Sequence, residues 1–104
     1  MAFNKINPKY QKLVEVLVMA YLRAAEGKGH KHHSHGEAFE EQWIVRGTKV
    51  FGIGGPLFQA GKKLEQAMKM EKENYPVETI INELLDVINY SAATVIHLRK
   101  NSGK

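Results

Sequence analysis

Two carboxylates are predicted to share one face of a helix. Glu83 and Asp86 are three residues apart in an otherwise apolar stretch, and Asn89 and Tyr90 follow one turn later. Because residues at i, i+3 and i+4 lie on the same side of a helix, these side chains are predicted to project in similar directions. Carboxylate oxygens are the ligands that Mg²⁺ prefers, so the spacing predicts half of a metal site.

The surroundings of this pair leave two interpretations open. From Val77 to Leu98 there is no lysine or arginine, and the acidic residues are Glu78, Glu83 and Asp86. A solvated helix face usually carries charges of both signs. Either the helix is simply amphipathic, with its acids in solvent, or the acidic face is covered by a partner, a metal or a ligand.

Further acidic residues could complete a metal site. Glu37 and Glu40 repeat the spacing of three, so two facing helices could place four carboxylates around one or two Mg²⁺ ions. Glu78 is a further candidate ligand. The alternative for Glu37 and Glu40 is a solvated helix start, where acidic side chains interact favourably with the helix dipole.

Lys62 and Lys63 are candidates for phosphate binding, because lysine is a good point-charge partner of phosphate. Adjacent helical side chains diverge by about 100°, so at most one of the two is expected to point into a site. The alternative is a solvated amphipathic face.

Four histidines lie within six residues, in a glycine-bordered polar loop predicted over residues 28–36. Imidazole clusters bind Zn²⁺, Ni²⁺ or Cu²⁺. The alternative is a mobile loop, or a lid that closes over a phosphate site. The histidines are His30, His32, His33 and His35.

Apolar periodicity predicts an all-α, bundle-like single domain over residues 1–104. In the last helix, Val77–Arg99, we expect Leu84, Ile88 and Val95 in the core. A flexible glycine-rich connection is predicted over Gly47–Gly55 and a frayed tail over 101–104. The aromatic residues Phe39, Trp43, Phe51 and Phe58 are expected in the core rather than as base-stacking platforms. The predicted helices are Pro8 to Glu26, Glu37 to Arg46, Pro56 to Lys72 or Glu73, and Pro76 to Lys100.

Composition narrows the class of protein. The 104 residues carry a net charge of +4, with lysines scattered along the chain, which favours small polyanions over duplex DNA. No apolar run reaches the length of a membrane span, so no membrane partner is expected. The chain has no cysteine, which excludes a disulfide framework and fits a cytoplasmic location.

Several segments together resemble small phage and bacterial nucleotide-modification-associated, MazG-like proteins. They are His33–Gly36 with Phe39 and Trp43, Phe51–Lys63, and Glu78–Tyr90, so the resemblance covers about residues 30 to 98. Glu83 and Asp86 followed by Asn89-Tyr90 are similar to the metal helix of the all-α nucleoside triphosphate pyrophosphohydrolase superfamily. That resemblance implies a MazG-like four-helix core that is a dimer or higher oligomer. It also implies Mg²⁺-dependent cleavage of the α–β phosphoanhydride, with Mn²⁺ as an alternative ion.

The resemblance implies roles for particular residues. Glu83 and Asp86 would be catalytic and would bind the metal, with Glu37, Glu40 and Glu78 as further ligands. Substrate would contact the side chains of Lys62, Lys63, Asn89, Tyr90, His33 and His35.

Four positions depart from the superfamily pattern. Lys62 and Asn82 stand where acids are common, Gln66 where an arginine is common, and His35 where a tyrosine is common. A lysine in place of a metal ligand weakens metal binding and attracts phosphate. The leading hypothesis from the resemblance is a phage-type, nucleotide-handling pyrophosphohydrolase. The departures favour the alternative, a non-catalytic protein that sequesters a nucleotide signal or inhibits a host protein.

Overall fold

The computed structural model describes residues 5–26 and 36–101, which form four α-helices. No strand occurs in either range, so the predicted all-α class is confirmed. None of the helices in these ranges is both long enough and apolar enough to cross a membrane. The helices are α1 (Gln11–Glu26), α2 (Trp43–Phe51), α3 (Gly54–Lys72) and α4 (Val77–Asn101), with 3-10 turns at Pro8–Tyr10 and Phe39–Glu41.

The first helical segment begins where the sequence predicts it. Asn7 caps the 3-10 turn, since its side-chain oxygen accepts a hydrogen bond of 2.9 Å from the Lys9 backbone N–H. Pro8 occupies the first position of that turn, which suits its fixed φ and missing N–H. Regular α-helix follows from Gln11.

The second helix differs from the predicted Glu37–Arg46. The backbone of Gln42 is extended, with ψ of 159°, so it separates the turn at Phe39–Glu41 from α2. Gln42 is buried and its side-chain amide donates to the Glu37 carbonyl at 3.2 Å. This hydrogen bond holds Gln42 out of helical geometry, and α2 begins one residue later.

The glycine-rich connection is shorter than predicted. Gly47 and the residues up to Phe51 are helical, and α2 is capped by Gly52, whose φ of 80° is strained for any other residue. Only Gly52 and Ile53 separate α2 from α3, so Gly54 already belongs to the next helix.

Helices α3 and α4 pair closely. Asn74 adopts a left-handed φ of 60° in the connection, and α4 starts directly after Pro76. A connection this short makes the two helices antiparallel neighbours, and their contact is the most extensive between any two elements. The predicted continuous helix is confirmed, and it extends to Asn101, the first residue of the predicted tail.

Small side chains dominate the buried core among the described residues. Four of its six apolar members are alanine, so the helices approach closely but bury little apolar area at each contact. The buried apolar residues are Ala20, Val45, Ala60, Ala67, Leu85 and Ala93.

The expected burial of two residues in α4 is wrong. Leu84 is 41% exposed and Val95 is 53% exposed, while Ile88 is half-buried. The helix packs through the side that carries Leu85 and Ala93. The apolar arc of α4 is therefore wider than the surface that the other helices cover.

The aromatic residues of the middle segments also differ from expectation. Trp43, Phe51 and Phe58 are exposed rather than in the core, and Phe39 is half-buried. Helix α2 turns its Val45, Gly47 and Thr48 side inward instead.

Leu85 provides a test of this core. We expect Leu85→Ala to lower the free energy of unfolding by about 2–5 kcal/mol, because it opens a cavity at a buried contact. Leu57→Ala in α3 is the control, because Leu57 is exposed and its truncation should change stability by less than about 0.5 kcal/mol. Urea unfolding monitored by circular dichroism measures both, and equal losses would contradict this packing.

Candidate functional site

Four charged side chains meet where α1, α3 and α4 come together. Lys63 Nζ lies 2.7 Å from a Glu83 oxygen and 3.1 Å from an Asp86 oxygen. Arg23 donates to both oxygens of Asp86, with Nε–Oδ1 at 2.5 Å and Nη2–Oδ2 at 3.1 Å. We call Arg23, Lys63, Glu83 and Asp86 the charge cluster.

The charge cluster accounts for the acidic face in a way that neither of the two interpretations describes. Glu83 and Asp86 lie on one side of α4 as their spacing predicts, and that side is covered rather than solvated, with 12% and 18% of their side chains exposed. The cover is the chain's own α1 and α3, which supply the positive charges that α4 lacks between Val77 and Leu98. Lys63 points into the cluster while Lys62 is exposed, as expected for adjacent helical residues.

Arg23 is the member that sequence reasoning missed. It is the only cation between Lys12 and Lys28, inside the apolar run of α1. A single arginine in such a run indicates a buried or paired charge. Its partner is 63 residues away, however, so no local spacing identifies it.

Mutual pairing stabilises the charged forms. Burial disfavours ionisation of Asp86, but hydrogen bonds from Arg23 and Lys63 outweigh it and hold its pKa below the ordinary value. Burial likewise opposes the charge on Lys63, yet its hydrogen bonds to Glu83 and Asp86 raise its pKa. The hydrogen bond to Asp86 raises the pKa of Arg23. All three groups are therefore firmly charged at neutral pH.

The predicted Mg²⁺ site stays a prediction. Mg²⁺ is usually bound by one or two carboxylates together with water and phosphate oxygens, but here the Lys63 ammonium bridges both Glu83 and Asp86. Within residues 5–26 and 36–101, no three His, Asp or Glu side chains gather as a metal-binding group. Glu37 lines a different cavity, between α1 and α4, and Glu40 and Glu78 are exposed.

Asn89 joins two helices. Its side-chain amide donates to the backbone carbonyl of Ala20 at 3.0 Å. Asn89 therefore helps to hold α1 against α4, next to the Arg23–Asp86 pair. Its predicted contact with a sugar or base stays a prediction. His33 and His35, with the rest of the histidine cluster, lie outside the described residues.

Tyr90 lines an open cavity of about 260 Å³ between α2, α3 and α4. The rings of Trp43 and Phe51 meet edge to face there, with centroids 6.2 Å apart, and the Arg46 guanidinium lies 5.4 Å from the Trp43 ring. Gly47 makes room for the indole, because a Cβ atom at this position would lie 3.3 Å from it. We call this space the aromatic cavity; Ile44, Thr48, Gly55, Pro56 and Gln59 complete its lining.

The aromatic cavity adjoins the charge cluster through Tyr90. Tyr90 lies one turn after Asp86 on α4, and Gln59 lies one turn before Lys63 on α3, so the cavity and the cluster are neighbours along both helices. Burial raises the pKa of the Tyr90 phenol; Asp86 and Glu83 add to that shift and Lys63 opposes it. At neutral pH the phenol therefore keeps its proton and can donate a hydrogen bond.

Comparisons of this chain with protein-family models, with curated proteins and with solved structures find no significant match. The MazG-like resemblance therefore stays a prediction from the sequence, and the site has to be interpreted from its own geometry.

The charge cluster makes stability depend on pH in a defined direction. Because the pKa of Asp86 is lower in the folded state, its stabilisation is fully present above the ordinary value of 3.8 and is lost as the pH falls below it. Asp86→Asn should lower the free energy of unfolding at pH 7 by about 1.5–3 kcal/mol.

The difference between Asp86→Asn and the parent should narrow as the pH falls through the folded-state pKa of Asp86. Glu65→Gln, which removes an exposed carboxylate of α3, is the control and should leave stability at pH 7 nearly unchanged. Denaturant unfolding at a series of pH values measures this. A constant difference at all pH values would show that Asp86 contributes nothing through its charge.

Proposed function

We propose that this chain binds a nucleotide where the aromatic cavity meets the charge cluster, and that it holds the nucleotide without cleaving it. The observation that carries the proposal is that Gln59 and Tyr90, which line the cavity, lie one helical turn from Lys63 and Asp86 of the charge cluster. A base in the cavity would have a cation within reach of its phosphate groups.

The aromatic cavity has the character of a base site. Aromatic faces accept any base by stacking, a contact worth about 1–3 kcal/mol per base. Trp43 and Phe51 offer such surfaces, and both are exposed. Gln59 and Tyr90 are polar groups in a mainly apolar lining, the mixture that fixes a ligand's orientation.

The charge cluster would bind the phosphate groups of the nucleotide. Lys63 and Arg23 are charged hydrogen-bond donors, and phosphate oxygens are strong acceptors for both. A phosphate group would compete with Glu83 and Asp86 for these cations. The net charge of +4 favours the approach of a polyanion.

The carboxylates favour binding over hydrolysis. Metal-assisted hydrolysis needs a bound ion that activates water, and the carboxylates that would hold it accept hydrogen bonds from Lys63 and Arg23. On this proposal the chain sequesters a nucleotide signal, or uses the bound nucleotide when inhibiting a host protein.

The pyrophosphohydrolase stays as a second candidate. The observation in its favour is that Glu83 and Asp86 already hold one cation, the Lys63 ammonium, between them. Two carboxylates that share a cation could also form part of a Mg²⁺ or Mn²⁺ site. For this candidate to be correct, Lys63 must leave the two carboxylates when the metal binds.

Lys63 and Lys62 form a matched pair for testing the phosphate contact. Lys63→Met should weaken nucleotide binding by roughly 10–100-fold, the effect of losing a charge-assisted hydrogen bond. Lys62→Met removes the same charge at an exposed neighbouring position and should change affinity little. Calorimetric titration with ribonucleoside and deoxyribonucleoside triphosphates and cyclic nucleotides measures both. Equal effects of the two substitutions would contradict a specific role of Lys63.

Glu83→Gln separates the two candidates. If the chain only binds nucleotide, this substitution removes a competitor for Lys63, so affinity should rise, with or without Mg²⁺. If the chain is a metal-dependent hydrolase, the same substitution should abolish Mg²⁺-dependent binding and turnover. Titration with and without chelator, together with a pyrophosphate-release assay of the parent, decides between them. Metal-dependent pyrophosphate release by the parent would overturn the non-catalytic proposal.

A further inference from the structure

A second cavity lies between α1, α4 and the segment 36–42 that precedes α2. It is open to solvent and has a volume of about 590 Å³, which is within the range of small-molecule sites. Its walls are mainly apolar. We call this space the α1–α4 cavity, and its larger apolar side chains are those of Leu17, Tyr21, Phe39, Ile88 and Ile96.

The α1–α4 cavity is separate from the aromatic cavity. The described residues that line one do not line the other, and none of the four members of the charge cluster lines the α1–α4 cavity. On α4, Asn89 lines the α1–α4 cavity and Tyr90 lines the aromatic cavity, because adjacent helical side chains diverge by about 100°. A ligand of the α1–α4 cavity would therefore occupy a different side of α4 from the proposed nucleotide.

Gln42 places a buried amide in the wall of the α1–α4 cavity. The residue is 7% exposed, and its side-chain nitrogen donates to the Glu37 carbonyl at 3.2 Å. Among the described residues, none donates a hydrogen bond to the oxygen of the same amide. A buried acceptor without a donor costs free energy, so a ligand that brings an N–H or O–H group to this oxygen removes that cost.

Asn89 repeats the pattern on the α4 side of the cavity. Its side-chain nitrogen donates to the Ala20 carbonyl at 3.0 Å, and its side-chain oxygen accepts no hydrogen bond within residues 5–26 and 36–101. In both amides the nitrogen therefore bonds to the protein backbone, while the oxygen has no donor. The polar groups of this cavity call for a ligand that donates hydrogen bonds.

The charges around the cavity disfavour an anion. The described lining contains one acidic residue, Glu37, and no lysine or arginine. A carboxylate or phosphate that entered would lose hydration without gaining a cationic partner. A nucleotide, which suits the aromatic cavity and the charge cluster, is therefore a poor ligand here.

We propose that the α1–α4 cavity binds a small, uncharged molecule with an apolar ring and an N–H or O–H donor, and that this donor bonds to the side-chain oxygen of Gln42. The apolar walls bury the ring, and the amide oxygen selects the donor. The proposal does not depend on the proposed nucleotide site, because the two cavities have different linings.

Three probes test the proposal in the full chain: indole, benzofuran and indole-3-acetate. Benzofuran has the shape of indole with an oxygen in place of the N–H, and indole-3-acetate adds a negative charge. In an NMR titration of ¹⁵N-labelled protein, indole should shift the side-chain amide signals of Gln42 saturably. Benzofuran and indole-3-acetate should each bind roughly 10-fold more weakly. No saturable binding of indole, or equal affinity for indole and either analogue, would overturn the proposal.

A matched pair of substitutions tests the location. Ala92 is half-buried and lines the α1–α4 cavity, whereas the neighbouring Ser91 is exposed and does not line it. Ala92→Phe should fill part of the cavity and weaken indole binding by roughly 10-fold or more, while Ser91→Phe should leave the affinity unchanged. Circular dichroism checks that both variants keep their helices, and Ala24→Leu repeats the test from the α1 wall. Unchanged indole binding by folded Ala92→Phe and Ala24→Leu variants would refute the site.

Discussion

The structure depends on the carboxylate of Asp86, which binds Arg23 of α1 and Lys63 of α3 at once. The buried apolar residues are mostly alanines, so apolar burial alone gives only modest stabilisation at each contact between helices. A partly buried carboxylate that hydrogen-bonds to two cations therefore has a large share in setting how three helices meet. The hydrogen bond from the Asn89 side-chain amide to the Ala20 carbonyl also holds α1 against α4 at this junction.

The balance of the charge cluster also limits what the site can do. Two carboxylates pair with two cations, so the net charge of the cluster is close to zero. The cluster therefore offers no unpaired charge to a metal ion or to a phosphate. A ligand must exchange one partner for another, and the free energy of binding is reduced by the ion pairs that it breaks. A phosphate replaces the carboxylates as partners of Lys63 and Arg23, whereas a metal ion must displace both cations. Each exchange leaves two groups of the cluster without their partners, the carboxylates in the first case and the cations in the second.

Local spacing predicted the features that depend on one helix. The continuous helix from Val77, the shared face of Glu83 and Asp86, and the divergence of Lys62 from Lys63 all follow from 3.6 residues per turn. The partner of Asp86 in α1 could not be predicted, because a contact across 63 residues leaves no local spacing. The predicted start of α2 at Glu37 was wrong. Gln42 is buried, its side chain donates a hydrogen bond to the Glu37 carbonyl, and its backbone is extended, so the helix begins only after it.

The prediction that Leu84 lies in the core was wrong for a different physical reason. Periodicity identifies every apolar side chain that needs a neighbour, but it does not say whether the neighbour belongs to the same chain. In α4 the side with Leu85 and Ala93 packs against this chain's own helices, and the side with Leu84 and Val95 does not. A helix that is apolar on two sides and carries paired charges on a third has little surface suited to water. Any partner that covers the second apolar side of such a helix would therefore also stabilise the fold, because it would bind the folded state and not the unfolded one.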